Sequence, residues 1–204
     1  APSTTPNLFQ AANVAPGMKS IIGDIRNAEH LKQSLADSQA QIVLHLAAQA
    51  LVGEGYRDPL GTYATNVQGT AHVLDSCRRV EGLKAIVAVT SDKCYENREW
   101  VWPYRETDPL GGHDPYSASK AAAWSLTNGL RRELRAQHTQ VLGMHMGYVD
   151  TDLTRGFDVP KSSAEDIVRS ALDGLEAGEV EVLADALTQQ VKKGLGGPIY
   201  LAQN

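Results

Sequence analysis

Two cysteines are all that 204 residues contain, Cys77 and Cys94. Their spacing suits neither a disulfide framework nor a metal site, so both are expected to be buried free thiols of a reducing, cytoplasmic protein. No apolar run approaches the roughly 20 residues that a membrane helix needs. The first residues, Ala1-Pro-Ser-Thr-Thr-Pro-Asn7, have no positive region followed by an apolar one, so no secretory signal is read there. There is no basic run, and the net charge of −5 argues against a nucleic-acid surface. A strand, glycine-rich turn and helix of the kind that cradles phosphates is also missing from the sequence.

What is there is alternation. Apolar strand patterns at Lys19 to Gly23, Gln41 to Leu46, Lys84 to Thr90, Thr139 to Met146 and Val180 to Leu183 are separated by helical ones. The predicted helices run from Ala28 to Ser38, from Asp58 or Pro59 to about Val80, from Tyr116 to about Ala136, from Ser162 or Ser163 to near Gly178, and from Asp185 to about Lys193. Ser163 precedes Glu165 and Asp166, which suit the positive end of a helix dipole. Cys94 to Pro115 is rich in Trp, Pro and Gly and too long for a connector; such loops are usually functional. Alternating β and α predicts an α/β fold: a three-layer, Rossmann-like parallel sheet covered by helices.

The chemistry concentrates at two places. Tyr116 and Lys120 stand four apart on a predicted helix, so both side chains share one face. There the ammonium is expected to lower the phenol's pKa and make it an acid or base near neutral pH. Thr90-Ser91-Asp92-Lys93 follows a strand whose carboxyl end is where open α/β sheets bind ligands. Further back, Asp24 just past a predicted strand can accept from an adenine amino group or close a turn. The small Ala47 and Ala48 allow backbone to approach a pyrophosphate or a helix to pack tightly. Asn66 within a helix and His45 within a strand read most simply as buried, satisfied polar groups.

A strand-end serine with Tyr-x-x-x-Lys on a helix resembles the short-chain dehydrogenase/reductases. From Asn7 to Lys120 the chain resembles their extended sugar-nucleotide dehydratase group, the CDP-glucose 4,6-dehydratases in particular. The residues that carry this are Ile22-Gly-Asp-Ile-Arg26, His45-Leu-Ala-Ala-Gln49, Thr65-Asn-Val-Gln-Gly-Thr70, Thr90-Ser-Asp-Lys-Cys-Tyr95 and Asn97-Arg-Glu-Trp-Val-Trp-Pro-Tyr-Arg105. The resemblance implies NAD as cofactor, with NADP as the alternative. It also implies oxidation of a nucleotide sugar at C4, loss of water across C5 and C6, and return of the hydride to C6. Tyr116 would be the C4 base, helped by Lys120 and a hydroxyl from Thr90 or Ser91. Asp92 would be the acid for the leaving group, and Lys93 would remove the C5 proton with a pKa depressed by burial or by Lys120. Asp24, Ile25, Ala47, Ala48, Asn66, Tyr116 and Lys120 would face the cofactor, and Asn66 would support the active-site water path. No metal is implied.

Two departures qualify this. The family's glycine-rich loop and first βαβ unit are expected to be missing, so residues 1–204 read as a single, incomplete NAD(P)-binding Rossmann-type domain. Weak cofactor binding follows, and strand 19–23 is expected either to move beside 41–46 or to leave a gap for another chain. Beyond Lys120, Ala121 to Arg135, Val141 to Leu153 and Ser163 to Val168 resemble the compact short-chain dehydrogenases instead. There Met146-Gly147 stands for a Pro-Gly pair, and Thr151 takes the position that contacts a nicotinamide carboxamide or caps a helix. A junction near 116–122 is therefore expected. It leaves three readings open: a nucleotide-sugar dehydratase, a simple alcohol or ketone oxidoreductase, and a recombined fold with little activity. The helices from Asp58 and Tyr116 are the usual homodimer faces in the superfamily.

Overall fold

The computed structural model describes residues 13, 16–94 and 114–193. Asn97 to Arg105 and almost all of the Trp-Pro-Gly-rich loop lie outside them. Four parallel strands form one sheet in the order β1 (Ile42–His45), β2 (Ala85–Val89), β3 (Gln140–His145), β4 (Glu181–Leu183). The register pairs Leu44 with Val87, Val87 with Leu142 and Met144 with Val182. Nearly all of β2 and β3 is buried, as continuous apolar runs in a parallel sheet require.

Helices cover both faces. On one side lie α1 (Ala28–Ser38), α4 (Thr70–Cys77) and α5 (Pro115–Leu134), whose side chains close a core over Val43, Ile86 and Val141. On the other, α6 (Ala164–Glu176) packs Ile167 and Ala171 on Val87, Leu142, Met144 and Val182. Adjacent residues of one strand, Ile86 and Val87, thus serve opposite cores, as the two-residue period of a strand dictates. Gly174 lets α6 come close to β4: a Cβ there would overlap Val182 Cγ2. A short α7 (Ala186–Lys193) follows β4.

The helix starts follow local chemistry. The Asn27 side chain accepts from His30 N, Ser163 from Asp166 N and Asp114 from Ser117 N, each an N-cap. Pro115 sits at the first helical position of α5, where its missing N–H is harmless. Gln39, at φ 49°, ends α1 in the left-handed region.

Three expectations are corrected. Lys19 to Gly23 is not a strand. It is exposed, with Ile22 96% accessible, and it runs directly into a turn in which the Asp24 carboxylate accepts from Arg26 N. It does not pair with β1, whose only strand neighbour among the described residues is β2. Ile42 and Leu44 consequently stay half exposed, because α6 does not reach over β1. The single long helix from Pro59 is three segments: α3 (Pro59–Tyr63), a wide π-turn segment (Ala64–Gly69) and α4. A short helix missed from the sequence, α2 (Val52–Arg57), precedes them.

Candidate active site

The π-turn segment exists around one amide. Asn66 is 2% exposed, and its side chain is fully used. Oδ1 accepts from Gln49 N at 2.7 Å, while Nδ2 donates to Gln49 O at 3.0 Å and to Ser119 Oγ at 2.8 Å. Ser119 Oγ donates on to Tyr116 O at 2.6 Å. A widened turn is what lets a helical residue reach both the loop after β1 and the first turn of α5; such turns favour functional sites. Asn66 is thus the satisfied buried amide expected, and it ties the Ala47-Ala48-Gln49 loop to the tyrosine. Gln49 and Ser119 were not singled out by the sequence, since their contacts span 17 and 53 residues. Gly55 was missed too: a Cβ there would sit 3.2 Å from Tyr116 N, so α2 rests directly on the tyrosine's backbone.

His45 reads as expected. It is buried, its Nε2 lies 2.9 Å from Thr70 Oγ1, and burial pushes its pKa down to about 4, so it is neutral. With Ala47, Ala48, Asn66, Thr90 and Lys120 it lines a cleft at the carboxyl ends of β1 and β2.

Tyr116 lies beside this cleft in the first turn of α5, 8% exposed. Its ring centroid is 5.7 Å from Lys120 Nζ. Here the sequence expectation is reversed. Burial raises the phenol pKa above its ordinary value, and a hydrogen bond with Ser91 works against it without overcoming it. The same burial lowers Lys120 to about 8. Two groups that share a dry site are each pushed toward neutrality.

Asp92 is half-buried, and burial raises its pKa, opposed by Lys93 and by Ser91, whose Oγ is 3.4 Å from Asp92 Oδ1. Lys93 is exposed. Thr90 and Ser91, left as alternatives by the sequence, point differently. The Thr90 hydroxyl is engaged by Met144 O and His145 Nδ1, whereas Ser91 Oγ meets Asp92 Oδ1 and accepts from Lys93 N.

Seven assigned positions are not in the cleft lining: Ser91, Asp92, Lys93 and Tyr116 of the catalytic cluster, and Asp24, Ile25 and Thr151. Asp24 is exposed and paired with Arg26 at 2.6 Å, which holds its carboxyl at about 2. Ile25 packs into the core against Gly69 and accepts from His72 through its carbonyl. Thr151 begins a short turn in which its backbone N–H donates to Thr154 Oγ1 at 3.2 Å.

A charged Lys120 in this site opposes folding. Its folded pKa of about 8 lies below the unfolded 10.5, so the penalty is fully present below pH 8 and vanishes as the pH rises to 10.5. Lys120→Met is therefore expected to be more stable than the parent at pH 7, by roughly 3 kcal/mol. The gap should close as the pH is raised from 8 toward 10.5. Denaturant unfolding of both proteins at several pH values checks this; a gap that does not depend on pH contradicts it.

A parallel sheet between helix layers, with Ser91 at a strand end and Tyr116 and Lys120 on the next helix, defines a short-chain dehydrogenase type of protein. The family described as GDP-mannose 4,6 dehydratase matches residues 4–145, and the chain belongs to it. A CDP-glucose 4,6-dehydratase from Salmonella typhimurium is 50% identical over 128 residues, which are 63% of this chain and 36% of that protein. Among solved structures, a short chain dehydrogenase from Burkholderia cenocepacia in complex with NADP superposes with a TM-score of 0.74 at 24% identity, over 93% of this chain and 78% of that one. A dTDP-glucose 4,6-dehydratase from Streptomyces venezuelae with NAD bound gives 0.66 at 23% identity, over 91% and 66%. The chain spans about a third of the length of the curated relatives it matches.

Proposed function

We propose that this chain carries the catalytic centre of a nicotinamide-dependent nucleotide-sugar 4,6-dehydratase, with a CDP-hexose as substrate. The observation that carries the reading is Tyr116, with Lys120 Nζ 5.7 Å from its ring, on the helix that packs against the turn holding Ser91 and Asp92. The group proposed to take the C4 hydroxyl proton and the group proposed to protonate the departing C6 hydroxyl thereby share one end of the sheet. Asp92 suits the acid role because burial favours its protonated form. Lys120 places a cation by the phenol, and Lys93 is the candidate for the C5 proton. Ala47, Ala48 and Lys120 are the residues that would face the nicotinamide end of the cofactor; no glycine-rich turn in the sequence fits its pyrophosphate. When bound, that group accepts the C4 hydride and returns it.

The second reading, a simple alcohol or ketone oxidoreductase, is favoured by the Burkholderia short chain dehydrogenase, which aligns with nearly the whole chain. We also read residues 1–204 as one Rossmann-type domain in which two branches meet near 116–122. That α5 runs unbroken from Pro115 to Leu134 supports a single folding unit. No helix among the described residues is long and apolar enough to cross a membrane. The two buried free thiols support a reducing, cytoplasmic setting, and the family resemblance supports a homodimer.

Incubation with CDP-glucose at high-millimolar NAD, with product separation, tests the reading. Formation of the 4-keto-6-deoxy sugar is the expected result. Turnover of small alcohols alone would transfer the assignment to the second reading. A cooperatively melting chain with neither activity would leave a recombined fold without catalysis.

A further inference from the structure

Among the described residues, His145, the last residue of β3, is a fully buried titratable group outside the catalytic cluster. Its Nδ1 lies 2.8 Å from Thr90 Oγ1 and 3.6 Å from Cys94 Sγ. Its Nε2 lies 3.1 Å from Glu181 Oε1 on β4, and the Trp124 ring meets it edge-on at 6.2 Å. Nδ1 is thus within hydrogen-bond reach of both the Thr90 hydroxyl, which also donates to Met144 O at 3.2 Å, and the Cys94 thiol, while Nε2 has the Glu181 carboxylate as its charge partner.

The two residues held by Nδ1 bracket the turn Ser91-Asp92-Lys93. Thr90 is its entry and Cys94 its exit, and both are buried. One ring nitrogen therefore fixes both ends of the segment that carries the proposed acid and Ser91. Backbone contacts add to it: Thr90 N donates to Met144 O, and Asp92 N to Met146 O. The clamp joins distant stretches of the chain: Thr90 and Cys94 follow β2, whereas His145 ends β3 and Glu181 opens β4. The carboxylate beside Nε2 gives the ring a charge partner on the side away from the turn, which favours one ring orientation.

We propose that His145, oriented by Glu181, is a positioning residue that sets the geometry of the Ser91–Lys93 turn for catalysis. Its catalytic meaning rests on the dehydratase reading; the clamp itself does not. Thiol labelling of the full chain separates the two. Cys94 borders the turn, whereas Cys77 is equally enclosed in the core on the α4 side and serves as an internal reference.

His145→Phe keeps an aromatic ring but no nitrogen, and is expected to speed labelling of Cys94 at least about tenfold relative to Cys77, the signature of local opening. His145→Asn, whose amide can occupy the place of Nδ1, is expected to restore slow labelling. Equal acceleration of both thiols, no acceleration, or failure of His145→Asn to rescue would overturn the clamp. Should His145→Phe not fold, Glu181→Gln is expected to accelerate Cys94 alone, and an unchanged rate overturns the proposal. In the turnover assay, kcat for CDP-glucose should fall in His145→Phe with KM kept, and a raised KM with kcat kept speaks against positioning. Slow Cys94 labelling that responds as expected in a chain without turnover would leave the clamp standing and remove the dehydratase reading.

Discussion

Tyr116→Phe is expected to reduce turnover by at least about a thousandfold while leaving the fold intact, because general acid–base catalysis contributes factors of this order. The substitution removes one oxygen and leaves the ring, which stays near Lys120 Nζ and against the backbone of Gly55. Ser91 loses one partner but keeps Lys93 N and Asp92. The stability change should therefore be about 1 kcal/mol, the usual size for one lost hydrogen bond. Burial keeps the phenol protonated in the resting protein, so its base form is scarce at pH 7. The rate should consequently rise with pH until the phenol titrates. A positive charge brought beside it on cofactor binding would move that limit downward. Steady-state rates of parent and variant across pH check this. Turnover in Tyr116→Phe within tenfold of the parent would remove Tyr116 from the reaction.

How far the site could be read in advance depended on how far apart its contacts lie in the chain. The bounds of α1, the buried run of β2 and the caps at Ser163 and Asp185 rest on neighbours a few residues away, so they were legible. The Tyr116 and Lys120 pairing was legible for the same reason. The π-turn segment was not, because it is made by Asn66 meeting Gln49 and Ser119 from distant stretches. Strand 19–23 failed because an apolar alternation needs a partner to become a strand, and here a carboxylate-closed turn at Asp24 follows immediately. The pKa of Tyr116 failed in sign: spacing reveals the neighbouring ammonium, but only the fold reveals how much water both groups lose.

That same loss of water leaves the catalytic cluster assembled while much of the expected cofactor cradle is not, and a large effect on binding follows. The chain alone is expected to bind NAD no more tightly than at millimolar concentration. A glycine-rich phosphate turn normally gives several charge-assisted hydrogen bonds, each roughly 1.5–3 kcal/mol. Without three of them the loss is about 4.5–9 kcal/mol, more than a thousandfold. The residues assigned to the adenine end do not offset it. Asp24 is already paired with Arg26, and Ile25 is packed against Gly69. Calorimetric titration decides: a micromolar Kd would mean that residues outside this account hold the pyrophosphate. The position of the loss matters as much as its size. Tyr116, Ser91, Asp92 and Lys120 are in place without the cradle, so the deficit should appear in KM for NAD and leave kcat at saturation largely untouched. A low kcat at saturating NAD would instead place the fault in the catalytic cluster, in the turn at Ser91 to Lys93 or in the first turn of α5.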